Sequence, residues 1–261
     1  MKISDFKVAP FSLFGVLGGV TSNEPSLATL VGTVFRADNG NEFVLVQNGA
    51  VALESGVLVQ SPASIGANHT GLTCATAAIG ATQITVTLGG TAVTANQYAG
   101  GYVVISAGTG IGQTLRIASH PAQSVTTGTV VLTLEDPLSV ATAVSDSKAS
   151  LTLPQYGGPN GAAITTHGVV VCPTTLTGRV IGATCYPIPA STATVPSYGF
   201  IVKSGAVAVL NTANTAIGLD LMPSAATAGA VCTYVVATKT RVGTATVAGE
   251  NAKAQLITLQ L

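Results

Sequence analysis

Three glycines stand at alternate positions in the stretch SAGTGIGQTLRIASHP: Gly108, Gly110 and Gly112. Glycines cradle phosphate when they join a strand to the start of a helix, where backbone N–H groups and the helix dipole meet the anion. Here the strand-like YVVIS precedes them and QTLRIAS follows, with Thr and Ile at β spacing rather than a helical start. The pattern is G-x-G-x-G, and no G-K-[ST] accompanies it. It predicts a turn between antiparallel strands in which glycine supplies positive φ.

The other candidates for chemistry are sparse. Glu135 and Asp136 in LEDPL are adjacent carboxylates, but they precede Pro137 at a strand end, where such residues bond to nearby backbone. His120, before Pro121, has no carboxylate or nucleophile near it in sequence to make it a general base, and it reads as a solvated loop histidine. Cys74, Cys172, Cys185 and Cys232 form no C-x-x-C pair, and His69, His120 and His167 are not at metal-ligand spacing from them. Each cysteine sits among small apolar residues, the setting of a buried free thiol. A structural disulfide and an unrecognised glycosidase pair stay open as alternatives. Neither G-x-S-x-G nor H-E-x-x-H occurs. The expectation is a protein with no catalytic residue, no cofactor and no metal ligand.

The elements that would position any site are strands. QITVTL puts Ile84, Val86 and Leu88 on one face and Thr85 and Thr87 on the other. TVVLTL, KASLTL, YVVIS, TLRIAS, GFIVKS, AVAVL, CTYVVA and AQLITLQL are further short β-branched or apolar runs, bounded by Gly, Pro, Asn and Ser. No long amphipathic helix is visible; NEPSLATLVG predicts a short one, with Asn23 as its cap. The fold class is all-β, built of two or more small β-barrel or β-sandwich modules with an extended N-terminal arm. Three segments follow: residues 1–62 as arm and small β unit, 63–155 as a middle barrel or sandwich, and 156–261 as a C-terminal β module, set off by the Gly- and Pro-rich PQYGGPNGAA.

Charge excludes several functions. Only 8% of residues are charged, against roughly 25% in an average soluble protein, and the formal net charge is zero. That leaves no basic field for nucleic acid. No apolar run approaches the roughly 18 residues of a spanning helix. An outer-membrane barrel wants girdles of aromatic residues; with Trp absent and aromatics 5% of the chain, that reading has little support. Neither nucleic acid nor membrane is an expected partner. Such a surface suits packing against neighbours, or the Thr-rich face of a secreted β protein. The opening MKISDFKVAPFSLFGVLGGV has Asp5 between Lys2 and Lys7, Pro10 in its apolar part and no A-x-A after Gly19. It reads as uncleaved, in a protein assembled inside the cell.

Several phrases, in order, resemble one family. They are GTVFRADNGNEFVLVQNGAVALESGVLVQSP (Gly32–Pro62), ANQYAGGYVVISAGTGIGQTLRIASHPA followed by TVVLTLEDPLSVATAVSDSKASLTL, and GRVIGATCYPIPASTATVPSYGFIVKSGAVAVLNTANTAIGLDLMPSAATAGAV. The likeness, over most of the chain after Gly32, is to decoration (cement) proteins on the capsids of tailed bacteriophages. It implies β-rich modules, a homotrimer, and a structural virion protein on the capsid surface that binds the major capsid protein and clamps capsid subunits together after assembly in the host cytoplasm. The first twenty or so residues do not share it. Phe6, Phe11, Leu13 and Phe14 there concentrate three of the six phenylalanines and are the candidate contact with capsid or sister subunit; a terminal strand packed on its own domain is the alternative. Rival readings are a tail or fibre module, which would show a fixed repeat, and a carbohydrate-binding adhesin, for which the absent Trp and scattered Tyr98, Tyr102, Tyr186 and Tyr198 give little platform.

Overall fold

Short β-branched runs punctuated by glycine and proline satisfy their backbone groups in ladders. The structure is a computed structural model that describes residues 20–21, 25–158, 167–235 and 240–261. Among these, four strands come first: β1 (Val20–Thr21), β2 (Val34–Arg36), β3 (Glu42–Gln47) and β4 (Leu58–Gln60). Six follow: β5 (Leu72–Thr73), β6 (Gln83–Thr87), β7 (Tyr102–Ala107), β8 (Thr114–Ser119), β9 (Thr129–Leu134) and β10 (Lys148–Thr152). The last seven are β11 (Val170–Val171), β12 (Val180–Thr184), β13 (Ser197–Asn211), β14 (Asp220–Pro223), β15 (Val231–Thr233), β16 (Gly243–Ala245) and β17 (Lys253–Gln260). Single helical turns form at Pro25–Ala28, inside the expected short helix, and at Gly66–His69.

The middle six strands close into a barrel. Their order is β5-β10-β7-β8-β9-β6. The two ends of that order meet where Cys74 bridges Val86 and the Ala75 N–H donates to Thr85 O at 2.9 Å. The alternation read from sequence becomes inside and outside: Ile84, Val86, Val103, Ile105, Leu115, Ile117, Val130 and Leu132 are buried, and the residues between them face out. Leu138 and the ring of Tyr98 plug the interior. Closure leaves no open edge in this module.

The other strands form one sheet of eleven members, drawn from both sides of the barrel in sequence. The segments 1–62 and 156–261, expected from sequence to be separate, thus supply strands from their described residues to one sheet. The joint is at β4 and β11, where Val59 pairs with Val171 and Gln60 with Val170. The chain leaves this sheet after Gln60, builds the barrel, and re-enters beside its point of departure. β13, of 15 residues, organises the sheet. Its first half pairs with β3 and β12, its second half with β17. A ring β13-β15-β14-β16-β17 closes on itself through the β13–β17 ladder. β3 and β12 are buried along nearly their whole length because separate apolar clusters cover their two faces. That explains why EFVLVQ reads as a continuous apolar run instead of an alternation.

Candidate functional site

The glycine loop is a connection between antiparallel strands, as its spacing predicts: Val104 of β7 pairs with Thr114 of β8. Gly108, Gly110 and Gly112 have φ of +75°, +84° and +92°. The Gly112 N–H donates to Ile105 O at 2.9 Å, and the Ile111 N–H to Gly108 O at 3.1 Å. A Cβ on Gly108 would lie 2.3 Å from Asp146 O, so glycine is needed for space as well as conformation.

This loop is one of three fastened together at one end of the barrel. Asp146 Oδ2 accepts from the Thr109 N–H at 3.1 Å and its hydroxyl at 2.9 Å. The Ser147 hydroxyl donates to Thr109 O at 2.6 Å. Gln113 Oε1 accepts from the N–H groups of Ser139 and Val140, each at 3.0 Å, and its Nε2 donates to Gly110 O at 3.1 Å. The third loop joins through the Val144 N–H to Thr76 Oγ1 at 3.0 Å and the Gly80 N–H to Leu138 O at 2.8 Å. These loops carry Ile79, Ile111, Val140 and Val144, which are 69%, 66%, 47% and 58% exposed. Within residues 75–82, 107–113 and 138–147 the single charged side chain is Asp146, and it is engaged by Thr109. The result is an apolar tip with a fixed backbone. It lies at the opposite end of the barrel from Ser64 and Leu153, where the chain enters and leaves, because β7 begins beside Thr152 and runs away from it.

The residues singled out for chemistry do not converge. Glu135 is engaged by Arg116 at 3.2 Å, with both side chains half exposed, and Asp136 is exposed beside it. His120 is not the solvated loop histidine that its sequence context suggests. It is 4% exposed. Its Nε2 accepts from the Tyr98 N–H at 2.9 Å, and its Nδ1 lies 2.8 Å from Pro121 O, which fixes the neutral tautomer with hydrogen on Nδ1. Burial lowers its pKa. His167 is 2% exposed; burial, with a smaller push from His120, takes its pKa down to about 4. Non-local packing buries both rings, and no neighbouring residue in sequence signals it. None of the four cysteines is in a disulfide; Cys74 and Cys172 are buried and the other two half-buried. Burial raises the Cys185 pKa to about 11, which keeps it a thiol. Among the described residues no group of three His, Cys, Asp or Glu could hold a metal ion, and no helix is long and apolar enough to cross a membrane. Phe6, Phe11, Leu13 and Phe14 lie outside the described residues, as does Asn23.

A groove that no stretch of the sequence announces lies where the barrel meets the larger sheet. One stretch, of about 470 Å³, is lined by Thr29, Gly32, Arg116 and Tyr156 among others. The next, of about 390 Å³, is lined by Pro62, His69, Leu153, Thr177 and Arg179 among others. Tyr102 and Gln155 line both. Tyr102 is 45% exposed and stands across the β7–β8 ladder from Arg116. Arg36, Arg116, Arg241 and Lys253 are in ion pairs; Arg179, among the described residues, is in none. Its charge is felt in the groove: burial raises the Tyr156 phenol pKa and Arg179 partly offsets that rise. The groove draws on segments far apart in sequence, so no local motif announces it; the composite of Tyr102, Arg116 and the exposed Arg179 exists only after folding. No protein family, curated protein or solved structure matches this chain.

Proposed function

We propose that this protein is a structural component of a virion, binding the outside of a phage capsid and reinforcing contacts between capsid subunits. The observation that carries the reading is the barrel tip. Ile79, Ile111, Val140 and Val144 project from loops whose backbone is already fixed by side-chain hydrogen bonds. A surface ordered before contact loses little conformational entropy on docking. Burying those four side chains releases on the order of 5 kcal/mol gross, at 1.5–3 kcal/mol for a fully buried aliphatic residue scaled by the exposed fraction. Alone that is a weak grip, close to what association itself costs. Repeated over a lattice by a trimer it becomes a strong one, since each further contact is intramolecular. With so few charges elsewhere, such binding would be insensitive to salt. The resemblance of the Gly32–Pro62 phrase and those after it to capsid decoration proteins supports the same reading.

Mixing the purified protein with undecorated capsids and imaging them tests it. Regular added density at symmetry-related positions is the expected result. The double substitution Ile79→Asp, Ile111→Asp removes that density while leaving the melting temperature unchanged, because both side chains are already exposed. Bare shells with the unaltered protein would overturn the reading, and a monomer by sedimentation at micromolar concentration would remove the trimer from it.

A further inference from the structure

The groove between barrel and sheet carries chemistry that capsid docking does not use. Its centre is the ring of Tyr102, 45% exposed in a chain where Tyr98 and Tyr198 are fully buried. An aromatic ring offered to solvent in a cleft, rather than spent in the core, presents a flat apolar face edged by a phenolic hydroxyl. Around it stand groups that donate or accept single hydrogen bonds: Gln155, Thr177, and the phenol of Tyr156. Arg116 adjoins the ring, its guanidinium held by Glu135 at 3.2 Å, so a donor and an acceptor are placed side by side. Beyond the ring is Arg179, a cation with no ion pair among the described residues.

We propose that this groove binds an acidic saccharide, with a sugar ring stacked on Tyr102 and the ligand's carboxylate or sulfate held by Arg179. The parts fit this class better than the alternatives. A sugar's C–H face needs an aromatic platform, and its hydroxyls need neutral donor–acceptor groups, which the groove supplies in number. A nucleic acid strand would need several unpaired cations along the backbone, and Arg179 is a single one. A purely apolar ligand would leave the guanidinium desolvated and unpaired at a cost. Guanidinium matches carboxylate and sulfate through paired N–H donors. The volumes, about 470 and 390 Å³, fall within the range of ligand sites, which favour junctions between modules. The inference goes beyond capsid binding and does not rest on it, since groove and tip lie at opposite ends of the barrel.

The test is an array of immobilised oligosaccharides bearing uronate, sialate or sulfate beside their neutral counterparts, probed with the full-length protein. Any ligand retained is then measured by calorimetry. Retention of at least one acidic saccharide and loss of its neutral counterpart is expected. Tyr102→Ala then weakens binding at least tenfold. Arg179→Gln reduces the acidic ligand to the level of its neutral counterpart. Both side chains are exposed, and an unchanged melting temperature confirms that each variant is folded. Retention of no acidic saccharide, or affinities unaltered by both substitutions, would overturn the proposal. Inorganic phosphate or sulfate competing as strongly as the saccharide would also overturn it, since the site would then hold an anion without reading a sugar. Capsid imaging is a separate readout, so either result stands without the other.

Discussion

Individual residues here act mainly by fixing backbone, and their roles are separable by substitution. Gly108 and Gly112 share positive φ, yet a Cβ on Gly108 meets Asp146 O at 2.3 Å while Gly112 has nothing within 4 Å. Gly112→Ala should therefore cost only the left-handed conformation, about 1 kcal/mol. Gly108→Ala adds a clash with backbone that is itself pinned and should cost about 3 kcal/mol or more. Urea unfolding of the two variants measures the difference, and equal costs would contradict the packed loop. The buried histidines make a second residue-scale prediction. Their folded-state pKa values lie below the ordinary 6.5, His167 at about 4. The folded state therefore binds fewer protons than the unfolded one in this window. Stability is full above pH 6.5 and is lost as pH falls toward about 4. Melting temperature followed from pH 7.5 to 4 should show this fall, and His120→Gln with His167→Gln should flatten it.

At the scale of elements, β13 shows how one long strand serves two ladders. Its partner changes from β3 to β17 around Ser204, where the β3 register also shifts. Gly205, at φ +109°, turns the strand there, and a Cβ on it would fall 2.2 Å from Asn41 Oδ1. Asn41 replaces the missing rung: its Nδ2 donates to Ala206 O and its Oδ1 accepts from the Ala206 N–H, both at 2.9 Å. The side-chain amide thus stands in for a peptide group of a neighbouring strand. Asn41→Ala would leave two backbone groups unpaired at a site only 8% exposed. The expected loss is about 2–3 kcal/mol, by the cost of unsatisfied buried polar groups. Asn41→Asp keeps the acceptor but not the donor and should fall between. Thermal or urea denaturation ranks the three proteins, and an Asn41→Ala variant as stable as the parent would dismiss the amide as a structural rung.

The whole molecule is a barrel inserted into a sheet. The barrel core, from Leu72 to Leu151, is a separate cluster from the two that line the larger sheet. β4 and β11 are paired neighbours at the point of insertion, so a few residues can bridge them. Replacing residues 64–153 with a short Gly/Ser linker should leave the remaining sheet folded, and residues 63–155 expressed alone should melt cooperatively. Calorimetry of the two pieces checks this; two unfolded pieces would mean that the modules depend on each other. The arrangement also separates tip from groove. A surface docked through the tip keeps the groove open to solvent, so the two proposed contacts can be engaged together.

Local chemistry in the sequence determined the strands, because alternation and turn glycines act over a few residues. QITVTL, TLRIAS and TVVLTL became walls of a barrel, and the G-x-G-x-G stretch became a turn. GFIVKS and AVAVL, two runs in the sequence, became one bent strand, since only the positions of β3 and β17 decide that Gly205 bends the strand without ending it. Tertiary structure alone decided the rest. It paired Val59 with Val171 across the inserted barrel, buried His120, and brought Tyr102 and Arg179 to one groove. Each of these depends on residues remote in the chain, and the free energy that joins them comes from burial and backbone pairing that leave no periodic trace in sequence.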